Sequence, residues 1–103
     1  MNINKLMKQA QKMQEQMAKT QAELEDKTVE VQAAGGKVTV VANCAGDVVS
    51  IKIAKEIVDP EDVEFLEEAV LNGVKQAIAQ GKDLAQNEMT KITGGLGLGG
   101  LGL

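Results

Sequence analysis

The spacing of apolar residues changes period twice along the chain, and nothing else in the sequence constrains the fold as much. From Ile3 to Leu24 the residues Ile3, Leu6, Ala10, Met13, Met17 and Leu24 recur in alternating steps of three and four, with Thr20 in one slot. That spacing gives a helix with a heptad-like seam. No Gly or Pro interrupts it, and Gln, Lys, Met and Ala are adequate to good helix formers. Three short segments of period two follow. In TVEVQA the residues Val29, Val31 and Ala33 share a face; in KVTVVAN, Val38, Val40 and Ala42; in VVSIKI, Val49, Ile51 and Ile53. Gly35-Gly36 and the run Asn43-Cys44-Ala45-Gly46-Asp47 supply the turns, so the three strands read as an antiparallel meander. Helical spacing then returns from Val63 to Ile92.

Asp59 can cap this second helix, Pro60 suits a first helical position, and Glu61 and Asp62 favour the positive end of the helix dipole. Gly73 and Gly81 fall near the apolar stripe, where each costs about 1 kcal/mol relative to Ala. Close packing explains them, and so does a break near Gly81. The last ten residues, Gly94 to Leu103, hold six glycines and no period, which predicts a flexible tail. The expectation is therefore an α+β protomer of order α-β-β-β-α, a single domain over residues 1–93 with a Gly/Leu-rich tail over 94–103.

A domain of this size with one aromatic, Phe65, must build its core from Val, Ile, Leu, Met and Ala, which bury less area each than rings do. A first helix of about 33 Å must also overhang strands of about 20 Å. Its overhanging methionines need a second surface, and another copy of the chain is the simplest supplier. The sequence thus predicts a homodimer, with Leu6, Met13, Met17 and Leu24 as the dimerisation seam. Phe65 falls off the apolar stripe of the second helix and covers either a sheet edge or a dimer contact. No signal-peptide core and no apolar run of spanning length is present, so a cytoplasmic chain without membrane contact is expected.

Catalysis finds little support. There is no histidine, the commonest general base near neutral pH. Cys44 is the single cysteine, and nothing near it in sequence would lower its pKa, so it reads as an inert thiol. Gly35-Gly36 lacks the Lys-Ser/Thr and following helix of a phosphate loop. Met7, Met13 and Met17 have no His or Cys company for a metal, and Glu61, Asp62, Glu64, Glu67 and Glu68 read as helix-start and surface acids. No catalytic residue, metal or cofactor is expected.

With a formal net charge of −4, an anion-binding role must come from local clustering. Around the first helix, Lys5, Lys8, Lys12 and Lys19 share a stripe roughly 60° wide opposite the seam, at about 100° per residue. Glu15 lies beside it at the i, i+4 spacing from Lys19. Such a stripe is either the solvated face that every amphipathic helix needs or a ladder of charges for phosphates, edged by Gln9 and Gln16. Spacing alone leaves both open.

Four strings in this order resemble the YbaB/EbfC nucleoid-associated proteins of bacteria. They are NINKLMKQAQKMQEQM at the start, AGGKVTVVANCAGDVVSIKI through the hairpins, LEEAV at Leu66 to Val70, and MTKITGGLGLGG from Met89. The resemblance covers nearly the whole chain. It implies a small non-enzymatic homodimer that binds DNA with little sequence preference and associates with the nucleoid. It also implies DNA-binding roles for Lys5, Lys8, Lys12 and Lys19, and for Lys91 before the tail. The chain has no Arg, the residue on which guanine readout and narrow-groove insertion chiefly rely, so contact is expected to be directed at phosphates. The alternative is a dimeric protein-interaction adaptor without significant DNA affinity, its partner docking through the Gly94–Leu103 tail.

Overall fold

A computed structural model describes residues 2–95 and shows the order helix, three strands, helix: α1 (Ile3–Asp26), β1 (Thr28–Ala33), β2 (Val38–Asn43), β3 (Val48–Ile53) and α2 (Val63–Gly95). The strands form one antiparallel sheet in the order β1-β2-β3. The protomer is elongated, 71 × 25 × 16 Å, because both helices run well past strands of six residues.

The core lies between α2 and the sheet. Val31, Val38, Val40 and Ala42 meet Ala69 and Ala77 there, with Val29, Ala33, Val70 and Val74 at the margin. The two glycines make this contact close. A Cβ on Gly73 would stand 2.8 Å from Val40 Cγ2, and one on Gly81 would stand 2.8 Å from the backbone oxygen of Asn43. Close packing is therefore what Gly73 and Gly81 serve. The helix runs unbroken through both, their lost propensity offset by the contact they permit.

Turn chemistry follows the sequence with two corrections. Asp59 does not cap α2: its Oδ1 accepts from the Glu61 N–H at 2.9 Å and its carbonyl from the Asp62 N–H at 3.0 Å, closing a separate turn. Asp62 takes the capping place instead, its Oδ1 accepting from the Phe65 N–H at 3.4 Å, and α2 begins three residues beyond Pro60. Both aspartates have the required acceptor, and the turn hydrogen bond decides between them. In β3, a bulge opposite Val41 and Ala42 accommodates one extra residue, so that Val48 rather than Val49 pairs with Ala42. Ile51 and Ile53 keep the expected face, opposite Val40 and Val38.

Asn43 is the buried polar residue of the β2–β3 turn and is well satisfied. Its Oδ1 accepts from the N–H groups of Ala45 and Asp47, and its Nδ2 donates to Asp47. Cys44 is buried beside it, and its N–H donates to the carbonyls of Leu24 and Lys27, tying the end of α1 to the end of β2. Phe65 is half exposed and lies with Ala33, Ala34 and Ala69 along a shallow groove at the end of β1. α2 continues through Gly94 and Gly95, two residues past the expected domain boundary; residues 96–103 of the expected tail lie outside the described residues.

Candidate nucleic-acid interface

Asn2 starts α1, its side chain accepting from the Lys5 N–H at 3.3 Å, and the helix runs 24 residues, about 36 Å. It packs antiparallel to α2. Leu24 shares one groove with Ala85 and Met89, whereas Gln16 and Thr20 share another with Lys91 and Ile92. Burial falls steadily toward the start: Leu24 is buried, Thr20, Met17 and Met13 are half buried, and Leu6, Met7 and Ile3 are exposed. The first three turns of α1 thus project beyond the part of the molecule that packs.

Lys5, Lys8, Lys12 and Lys19 are all exposed along this helix, on the stripe opposite Leu6, Met13, Met17 and Leu24. Three of them lie on the projecting segment. Among the described residues no ion pair engages any of the four, and Glu15 forms none with Lys19. Lys19 enters the groove between the helices with Gln16, Glu23 and Lys91, so the structure brings Lys19 and Lys91 together.

Lys91 differs from the α1 lysines in having a counter-ion. Glu88 Oε1 lies 3.3 Å from Lys27 Nζ and 3.6 Å from Lys91 Nζ, joining the base of α1 to α2. Lys27, through its hydrogen bond and charge, and then Lys91 hold the Glu88 carboxyl below the usual glutamate range. Sequence spacing could have suggested the i, i+3 pair with Lys91; it could not have suggested Lys27, which the chain brings from 61 positions earlier in sequence. Of the expected dimerisation residues, Leu24 is already covered by its own chain, Met13 and Met17 are partly covered, and Leu6 is half exposed.

The candidate catalytic and metal groups gain nothing from the fold. Among the described residues no three acids or thiols cluster as a metal site, and no helix is long and apolar enough to cross a membrane.

Comparison with known proteins agrees with this architecture. Residues 1–96 match the model of the YbaB/EbfC DNA-binding family. A nucleoid-associated protein of Ruminiclostridium cellulolyticum is 50% identical over 96 residues, covering 93% of this chain and 84% of that one. One from Clostridium kluyveri is 51% identical over 100 residues, covering 97% and 88%. The crystal structure of an uncharacterized protein of Helicobacter pylori, HP0035, shares the fold with a TM-score of 0.73 at 18% identity, covering 84% of this chain and 91% of that one. The chain belongs to the YbaB/EbfC DNA-binding family.

Proposed function

We propose that the protein is a nucleoid-associated DNA-binding protein of the cytoplasm that works as a homodimer, grips phosphates rather than bases, and catalyses nothing. The observation that carries this reading is the row Lys5, Lys8, Lys12 and Lys19, exposed and without intramolecular counter-ions on a helix that projects from the core. A lysine ammonium is a point charge suited to phosphate oxygens and carries no base-reading geometry. Lys91 joins the row beside Lys19, with its charge partly answered by Glu88. The relatives' nucleoid association supports the same role. The acidic start of α2, with Glu61, Asp62 and Glu64, would repel a duplex and leaves α1 as the contact.

The test is a mobility-shift titration of two long duplexes of unrelated sequence with the native chain and with Lys5, Lys8, Lys12 and Lys19 all changed to Glu. The native protein should shift both duplexes with similar affinity at low salt, and the variant neither. Absence of any shift by the native protein, or a shift that survives the four changes, would leave the adaptor reading, which predicts instead that a protein partner is lost when residues 94–103 are removed.

A further inference from the structure

The core of the protomer is closed over β1 and β2 and open over β3. Val38 and Val40 are 0% exposed beneath α2, while their cross-strand partners Ile53 and Ile51, on the same face of the sheet, are 39% and 41% exposed. All six residues of β3 are exposed. Beside the strand, Ile53 and the α2 residues Leu66, Val70, Leu71 and Val74 line an open groove whose remaining member is Glu67. β3 is also the sheet's edge, so its outer N–H and C=O groups have no strand partner among the described residues. A free apolar edge of this kind is a pairing template that folded proteins cover or blunt.

From this face we infer that the second copy in the proposed dimer docks through β3 and the flank of α2, and not chiefly through the α1 seam. Antiparallel pairing of β3 with β3 about a two-fold axis perpendicular to the sheet joins two three-stranded sheets into one of six strands. It also leaves both α2 helices on the same side, so that Leu66 and Leu71 of the two copies close over Ile51 and Ile53. Such a contact is isologous, each copy presenting the same surface. The size fits. The apolar side chains of this face leave on the order of 400–500 Å² in solvent, close to the apolar share of the ~800 Å² that each partner contributes to a standard interface. The α1 seam offers less, because Leu24 is already buried and Met13 and Met17 are partly so.

This inference rests on the homodimer reading and specifies its surface. The experiment is sedimentation equilibrium of the full chain beside Leu71→Glu, Ile51→Glu and Met13→Glu, each checked for native far-UV circular dichroism. The native chain should be a dimer, Leu71→Glu and Ile51→Glu should raise the dissociation constant at least ~100-fold by burying a carboxylate twice across the axis, and Met13→Glu should leave it within about threefold. Leu71 is half exposed on a helix surface, so its variant carries the test if Ile51→Glu fails to fold. A native dimer that persists in Leu71→Glu, or one dissociated by Met13→Glu alone, overturns the proposed surface and leaves the dimer standing. A monomeric native chain overturns both.

Discussion

The two helices face the same sheet and differ in what holds them. α2 lies on β1 and β2 with two of its glycines pressed against a valine methyl and a backbone carbonyl. α1 is held at its last turns, by Leu24, by the two carbonyls that share the Cys44 N–H, and by the Glu88 ion pair with Lys27. One helix cannot change its contact surface without disturbing the core, and the other has most of its length available. Folding energy is thus concentrated where the chain is apolar and close-packed, and the exposed lysines are concentrated where there is least packing to disturb. The division lets an acidic protein present a basic surface, since the acids of α2 and the lysines of α1 occupy different regions.

The division can be broken from either side. Changing Lys5, Lys8, Lys12 and Lys19 to Glu should have the largest effect, a loss of at least ~100-fold in DNA affinity at low salt, while urea denaturation shows stability unchanged to within about 0.5 kcal/mol. Leu24→Ala should cost about 2–3 kcal/mol of stability by the same measurement, a buried leucine at the one place where α1 is anchored. Gly81→Ala should cost about 1–3 kcal/mol, because its Cβ meets a backbone oxygen that cannot turn aside. Gly73→Ala meets the methyl of a side chain and should cost less, its helix propensity gain offsetting part of the strain. Both glycine variants should leave the affinity of the folded fraction unchanged.

The smallest effect is expected at Glu88, where the two regions meet. Glu88→Gln removes the counter-ion of Lys27 and Lys91. A salt titration of DNA binding should then show tighter binding at low salt and a log-log slope steeper by at most about 0.9 for each lysine released to a phosphate. The same pair has a pH signature. A carboxyl held below its ordinary range stabilises the fold above the unfolded glutamate pKa, and that contribution is lost as pH falls through the lowered value. Acid titrations of the native chain and Glu88→Gln should therefore converge at the acid end. A difference that grew with acidification would contradict the assignment.

Much of this arrangement was legible in the sequence, for reasons that also explain what was not. The segments TVEVQA and VVSIKI coincide with β1 and β3 because period two is a local property of the chain, and the lysine stripe follows from helical spacing alone. The cap of α2 was misplaced because Asp59 and Asp62 satisfy the same local rule, and only hydrogen bonds within the turn separate them. The exposure of Ile51 and Ile53 was illegible for a different reason: alternation shows which face of a strand is apolar but not whether a helix reaches across to cover it. The same limit concealed the gradient of burial along the α1 seam and the meeting of Lys27 with Glu88.

Phosphate-directed binding by the projecting lysines is tested most directly by the salt dependence of DNA affinity for the native dimer. Eight lysines from two first helices allow a log-log slope no steeper than about −7. The expected result is a linear dependence within that bound, nearly identical for duplexes of different sequence and almost flat for the chain with all four lysines reversed. A native slope near zero, or one unchanged by the reversal, would contradict the account.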